Sequence, residues 1–564
     1  MNKISFRWLK ASRLFPVFMA MAVQAGFFGS PGGATAAIPE ELQYPVTQIR
    51  PGGQGKSLQS LELAGAGNEY VFARLRFPGA DPSSFKIRIM QVSPMARNPK
   101  IPFAFFQVCW APPSLRGKLP PDALLPVEQG LVITGDALEI LLSVHLPADC
   151  PAGLFQYQLT ASDKKQSFRQ IIRLRVYGFS LPGDLPIAVF GHFWHYPPEF
   201  YATYGVKSSD AYFQTIRAYY RSLREYKINA LGGGYAFPLD DLQPDKKIDE
   251  YADYHGLVQY ALNQLGFRRF TIPKLPGWQT VNQPGSNFIT RANILYPQFQ
   301  EYLKRHDWQD RALNYLIDEP KPDQYAAVLQ AYGLAKNLAP TVKTLCTGWN
   351  PDPEFVKVID LWATPAAYYQ ESLANLACSQ GQEQWLYANR LHGIDHPQVH
   401  PRLIGWLLYR YRFSGYLLWG VNFWPNNPWT TEPGDPEFMR RGTFYYPHPQ
   451  TGQPVPTLRL ESLRRGLQDY QYFHLLAEAR GKGLVAQEPF ARIEQRLQEV
   501  TRDFQTRDFQ VTVQELESVR LQMGELLNAA FSSPKTPAKS LSPAAPSPKN
   551  RILQEIRNYF RKLQ

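Results

Sequence analysis

The chain has 564 residues, 44% hydrophobic and 14% aromatic against 19% charged, which is ample apolar surface for a large core and excludes a mainly disordered chain. The net charge of +12 is concentrated at the ends: four basic residues lie in 1–36 and a net six in 531–564, leaving +2 on the body. That distribution excludes a global phosphate-binding surface, so no nucleic-acid partner is expected.

Lys3, Arg7, Lys10 and Arg13 precede an apolar run, Leu14–Gly29, broken by Pro16 and Gln24 and followed by Ala34-Thr35-Ala36. This order of basic start, apolar centre and small-x-small site predicts an export signal over 1–36 and a secreted or periplasmic bacterial protein. Over 37–183 the rhythm is two-residue alternation: Val71, Ala73, Leu75 and Phe77 against Arg74 and Arg76, then Phe85, Ile87 and Ile89 against Lys86 and Arg88, then Ile172, Leu174 and Val176 against Arg173 and Arg175. Such a pattern predicts half-buried antiparallel strands in a β-sandwich domain ending at Leu181-Pro182-Gly183. In an oxidising compartment Cys109 and Cys150 either form a bridge or stay reduced.

From 184 to 456 short apolar runs alternate with helical periods, the form of βα units around a parallel sheet. Candidate strands are Ile187–Trp194, Ile228–Tyr235, Arg269–Lys274, Leu313–Ile317, Thr344–Gly348, Val358–Trp362, Gln384–Tyr387 and Gly415–Val421, with helices at 209–226, 250–264, 296–306, 323–337 and 397–411. Eight strands fit a (β/α)8 TIM-type barrel, with a doubly wound open sheet as the alternative. Residues 457–530 read as a C-terminal helical segment containing a tandem Thr-Arg-Asp-Phe-Gln at 501–510. The Pro/Ser/Lys-rich tail 531–564 ends in a short basic amphipathic stretch. It either remains disordered or makes weak contact with an anionic membrane surface.

The sharpest chemical signal is Tyr315-Leu316-Ile317-Asp318-Glu319-Pro320, an apolar strand ending in two adjacent acids. At the carboxyl end of a barrel strand such groups are catalytic candidates, and mutual repulsion should raise the pKa of one of them, Glu319, toward the general-acid range. The alternative is a solvated turn whose acids favour the next helix N-terminus. Pro320 is expected to prolong the extended chain through Glu319. Aromatics with hydrogen-bonding neighbours recur near the other strand ends, the combination that suits sugar rings. By position, Trp349, Tyr369, Trp419, Asn422 and Trp424 are candidate substrate-binding residues. His392, His396 and His400 share a helical spacing but are interrupted by Pro397 and Pro401 and lack a neighbouring acid of the H-E-x-x-H kind, so no metal site is expected there. Gly232-Gly233-Gly234 lacks dinucleotide-binding spacing, and no cofactor is expected.

Three blocks carry a family likeness: 145–153 (His-Leu-Pro-Ala-Asp-Cys-Pro-Ala-Gly), the acid-pair block 315–320, and the stretch from Arg402 to Tyr472 with Gly405-Trp406, Gly415 to Asn422, Phe444-Tyr445-Tyr446-Pro447 and Arg464-Arg465-Gly466-Leu467-Gln468-Asp469-Tyr470. On these blocks the chain resembles glycoside hydrolase family 123, the β-N-acetylgalactosaminidases and their uncharacterised bacterial relatives. The resemblance implies a β-sandwich followed by a catalytic barrel, and retaining hydrolysis of 2-acetamido-2-deoxyhexosides in a polysaccharide or glycoconjugate. It also implies substrate-assisted catalysis, with Asp318 stabilising the acetamido group and Glu319 as general acid, then base. The other reading is a non-catalytic glycan-binding surface protein with an inactive barrel.

Overall fold

The computed structural model describes residues 38–51, 60–93, 100–111, 119–129, 137–196, 198–230, 237–277, 284–348, 353–387, 391–424, 426–430, 443–505 and 509–532. The segments 1–36 and 533–564, which carry the expected export signal and nearly all of the tail, lie outside them.

Nine strands come first: β1 (Val46–Gln48), β2 (Leu61–Gly67), β3 (Glu69–Pro78), β4 (Lys86–Ser93), β5 (Phe103–Cys109), β6 (Ala123–Pro126), β7 (Ala137–Leu146), β8 (Gly153–Ser162) and β9 (Ser167–Ser180). They form a five-stranded sheet, β1-β3-β7-β5-β6, and a four-stranded sheet, β2-β9-β8-β4. Alternate residues of both meet in one apolar cluster, Val71, Leu75 and Phe77 facing Phe155, Leu159, Ile172 and Leu174, as the period of two dictates. Arg74, expected to face solvent, is buried at 3% exposure. The outer face of the five-stranded sheet is covered there, and Arg74 donates to Glu139, to the Tyr44 carbonyl and to Gln398. Cys109 and Cys150 are free thiols. They belong to different apolar clusters, which is why no bridge forms.

Seven parallel strands follow: β10 (Ala188–Gly191), β11 (Phe270–Thr271), β12 (Ala312–Ile317), β13 (Lys343–Thr347), β14 (Leu361–Pro365), β15 (Glu383–Tyr387) and β16 (Gly415–Leu418). Their order, β10-β16-β15-β14-β13-β12-β11, pairs the first strand with the last and so excludes the open doubly wound sheet. Among the described residues the result is a nearly closed barrel of seven strands; of the other expected strand, 228–235, residues 231–235 lie outside the described residues. In the described part of that run Asn229 bridges Phe190 through its backbone. Its side chain accepts from the Arg268 and Arg269 amides and donates to the Val189 carbonyl. Two elements are displaced from expectation. Pro353–Val358 is helical, which moves the next strand to Leu361–Pro365. The helix expected to start at 296 runs over Ser286–His306 and continues through Pro297.

Helices α1 (Pro198–Ala202), α2 (Ser209–Glu225), α3 (Ala252–Gln259), α4 (Ser286–His306), α5 (Tyr325–Leu338), α6 (Pro353–Val358), α7 (Glu371–Ser379) and α8 (His400–Arg410) accompany the barrel strands. A hairpin, β17 (Tyr445–Pro447) with β18 (Pro454–Pro456), precedes α9 (Leu458–Gly481), α10 (Gln487–Thr501) and α11 (Val513–Ser532). α8 and α9 cross at Gly405 and Gly466. A Cβ on Gly405 would lie 1.8 Å from the Gly466 carbonyl oxygen, so the contact requires glycine. Beside this crossing Arg402, Arg465 and Arg520 meet Glu69, Asp469 and Glu517 in a charge-balanced network that ties β3, α8, α9 and α11 together.

Candidate active site

The barrel interior is filled by Phe190, Leu313, Tyr315, Leu345, Leu361, Ala363, Trp385, Tyr387 and Leu417, the inward-facing alternate residues along the strands. Gly415 makes room for the largest of them, since a Cβ there would sit 2.5 Å from the Trp385 indole. The opposite-facing residues Leu316, Ile317, Cys346, Trp362 and Leu386 pack into the outer core.

On β12 the alternation breaks. The register against β13 shifts between Tyr315 and Ile317, and Leu316 and Ile317 both join the outer core. A bulge of this kind re-aims the side chains beyond it, and Asp318 returns to the face of Tyr315. The Tyr315 phenol donates to Asp318 Oδ1 at 2.6 Å, and the Thr347 hydroxyl donates to the same oxygen at 2.7 Å. Among the described residues no hydrogen bond reaches Asp318 Oδ2, and the residue is exposed. Burial and the adjacent Asp318 carboxylate push the Tyr315 phenol well above its ordinary value, so it stays a donor.

Glu319 is half-buried and takes φ +43°, a left-handed conformation that costs an ordinary residue about 1–2 kcal/mol. The expected extended chain through Glu319 is therefore not found. The pre-proline position disfavours right-handed helical angles, and here the chain turns the other way, with the Glu319 amide donating to Thr347 Oγ1 at 2.7 Å.

Lys274, half-buried beyond β11, places its ammonium 5.0 Å from the Tyr315 ring centroid. Burial lowers its pKa and Asp318 opposes that shift. His192, just past β10, is held at about 4 by burial and by Lys274, against the pull of Asp318, and is neutral at pH 7. The Tyr368 phenol, at the end of the turn after β14, is raised by burial and then by the charge of Glu319.

Of the aromatics picked by position, Trp419 is half-buried and packs against the interior cluster. With Trp194 and Phe423 it forms a continuous wall, the ring centroids being 4.7 Å apart for Trp194 and Phe423 and 5.2 Å for Trp419 and Phe423. Asn422 is buried, and its amide both accepts from the Trp194 N–H and donates to the Trp194 carbonyl. It fixes that wall from behind. Trp424 is buried, stacked on Tyr446 and donating to the Tyr445 carbonyl, on the side facing the N-terminal sheets. Tyr369 lies on the barrel flank against Tyr411, Phe413 and Phe504, and its neighbour Tyr368 is the one that feels the charge of Glu319. Trp349 lies outside the described residues. Tyr315, Thr347, Lys274 and His192 are not among the site candidates by position. Each is a polar residue at or near the end of an apolar strand run, a signal that was available.

Among the described residues one group has metal-ligand chemistry, Asp249 with His255 and His306. It sits on the barrel flank between the stretch before α3 and the end of α4. Its atoms already engage one another and their neighbours: His306 with Asp249 at 2.5 Å, Asp249 with Arg305, and His255 with the Tyr302 phenol at 2.9 Å.

Residues 278–476 match the family model described as Glycoside hydrolase 123, catalytic domain, a span that contains β12 to β16, the acid pair and most of α9. A solved family 123 glycoside hydrolase from Clostridium perfringens, described for hydrolysis of glycolipid glycans, aligns over 84% of this chain and 93% of its own, at 12% identity and a TM-score of 0.61. At that identity the likeness shows the fold. A β-glucuronidase from Parabacteroides merdae aligns over 72% of this chain and 52% of its own, with 12% identity and a TM-score of 0.30. No curated protein sequence matches the chain.

Proposed function

From the premise that this chain is a glycosidase carrying a family 123 catalytic domain, we propose that it hydrolyses 2-acetamido-2-deoxyhexosides of the galactosamine kind with the substrate's own acetamido oxygen as nucleophile. The observation that carries this reading is the asymmetric loading of Asp318. Two hydroxyls saturate Oδ1, which leaves Oδ2 to accept the acetamido N–H beside Glu319. Accepting that proton's hydrogen bond enriches the amide carbonyl, whose oxygen attacks the anomeric carbon. Glu319 protonates the departing glycosidic oxygen. The resulting oxazolinium is stabilised by the Asp318 charge, and Glu319, now a carboxylate, takes a proton from the water that reopens the ring with net retention. Two consecutive residues cannot flank a sugar as opposed nucleophile and acid, so the substrate's nucleophile completes the pair. Trp194, Trp419 and Phe423 offer flat apolar faces to the C–H side of the ring.

On the same reading 37–183 is a sandwich domain, 184–456 the catalytic barrel and 457–530 a helical segment that buttresses it. The enzyme is exported through 1–36, works on glycans in the periplasm or outside the cell, and makes at most weak membrane contact through 531–564.

The test compares aryl glycosides with a 2-acetamido and a 2-hydroxyl group, using the parent, Asp318→Asn and Glu319→Gln. Expected is turnover of the acetamido substrate alone, with a loss on the order of 10²–10⁴-fold in kcat/KM for Glu319→Gln, the usual contribution of general acid catalysis. Equal rates on the two substrates, or a folded Glu319→Gln as active as the parent, would refute the mechanism. Saturable glycan binding without turnover would favour an inactive barrel.

A further inference from the structure

Beyond the acids themselves the molecule offers the flank cluster of Asp249, His255 and His306, the hollow lined by Tyr369, Tyr411 and Phe504, and the buried polar groups behind the acid pair. The last carries furthest. Thr347 closes β13 and is fully buried. The outward position of Cys346 in the outer core puts Leu345 and Thr347 on the inward face, level with the bulge of β12. Its single hydroxyl is used in both directions: the proton goes to Asp318 Oδ1 at 2.7 Å, and a lone pair accepts the Glu319 amide at 2.7 Å. The Tyr315 phenol is 3.4 Å from the same oxygen and gives its own proton to Asp318. One acid is therefore gripped by its side chain and the other by its backbone, at the residue whose left-handed φ decides where its side chain leaves the chain.

The geometry points to Thr347 as the positioning residue that sets the two acids relative to each other, so that nucleophile alignment at Asp318 and proton delivery at Glu319 are coupled through one hydroxyl. This rests on the mechanism proposed above and adds to it a residue that touches no substrate. Thr347 differs from Tyr315, which reaches Asp318 alone among the two acids. Losing the Thr347 hydroxyl should disturb both functions, and losing the Tyr315 hydroxyl only the first.

The experiment measures kcat and KM for Thr347→Val, Thr347→Ser and Tyr315→Phe on aryl 2-acetamido glycosides. It varies the leaving-group pKa, which reports proton delivery, and replaces N-acetyl by N-trifluoroacetyl, which reports nucleophilic participation. Thr347→Val keeps the shape and removes the hydroxyl. It should lower kcat on the order of 10–100-fold with KM changed less than about threefold, and should steepen the dependence on both leaving group and acyl group. Thr347→Ser should recover at least about a third of the parent kcat despite losing a methyl. Tyr315→Phe should steepen the acyl dependence only. A folded Thr347→Val within about twofold of the parent kcat, or a Thr347→Ser no better than Thr347→Val, overturns the inference. If Thr347→Val does not accumulate folded, Thr347→Ser against Thr347→Ala provides the same contrast. Asp318→Asn and Glu319→Gln run alongside: if both retain activity the mechanism itself falls, whereas if both are inactive and Thr347→Val is not impaired only the present inference falls.

Discussion

Replacing Asp469 by Asn isolates what the ionic network contributes. Asp469 has no exposure. It accepts Arg402 Nε at 2.6 Å, Arg402 Nη2 at 3.3 Å and the Trp406 indole at 2.9 Å, and also pairs with Arg520. Burial alone would raise its pKa, but Arg402 and then Arg520 outweigh that and hold it below the usual range. Three arginines face three carboxylates here, so the substitution leaves one buried positive charge uncompensated and turns an amide N–H toward a guanidinium. Breaking a buried pair in this way costs about 3–5 kcal/mol. At roughly 2–4 °C per kcal/mol for larger units, Tm should fall by roughly 6–20 °C. Calorimetry measures the shift, and kcat measured below the transition should stay near the parent value because the network lies outside the barrel mouth. Asp469→Asn with Arg520→Met restores charge balance and should recover part of the loss. A single variant within about 1 kcal/mol of the parent, or a double variant less stable than the single, would refute the argument.

Two further outcomes follow from local packing and titration. Gly415→Ala drives a methyl against the Trp385 indole, and overpacking of this type costs about 1–3 kcal/mol. Gly405→Ala meets backbone that cannot yield, so in urea unfolding the Gly405 variant should lose more stability than the Gly415 variant; the reverse order would contradict the crossing geometry. His192 is held at about 4 against an ordinary 6.5 by burial and Lys274. The fold favours its neutral form, so this contribution is complete above pH 6.5 and is lost as pH falls toward 4. At 1.36 kcal/mol per unit it amounts to at most about 3 kcal/mol, and less in proportion to the solvent reaching a half-buried ring. His192→Asn should flatten the dependence of Tm on pH across that window, and an unchanged slope would show that other groups account for it.

The barrel was legible because strands buried on both faces read as short apolar runs between turns. Six of the eight candidate runs overlap the observed strands closely or within three residues, at β10, β11, β12, β13, β15 and β16. Of the run at 228–235 the described part is 228–230, where Asn229 bridges Phe190 and spends its side chain on neighbouring backbone; 231–235 lie outside the described residues. The run at 358–362 slid because the preceding residues entered a helix. The block from Arg402 to Tyr472 carries a strong family likeness, yet Gly405, Gly466, Arg402, Arg465 and Asp469 serve helix contact and the ionic network. Motif strength there measured packing constraint. Tyr368 and Tyr369 share every local feature of sequence, and the short turn Ala366–Tyr368 separates them, Tyr369 packing on the flank while Tyr368 feels the charge of Glu319.

The acid pair shows what pattern reading could not reach. Strict alternation from Leu313 through Tyr315 and Ile317 would send Glu319 inward and Asp318 outward, so only one acid would meet a ligand. Two departures from regular strand geometry intervene. The bulge before Ile317 turns Asp318 to the Tyr315 face, and Glu319 leaves the extended chain with a left-handed φ. Neither departure has a residue signature in the acid-pair block, because Glu is an ordinary residue in a conformation that favours glycine. What holds the turn is a hydroxyl on the adjacent strand, nearly thirty residues further along the chain. The local sequence could therefore announce the acids, while their joint orientation depends on a partner that only the barrel brings alongside.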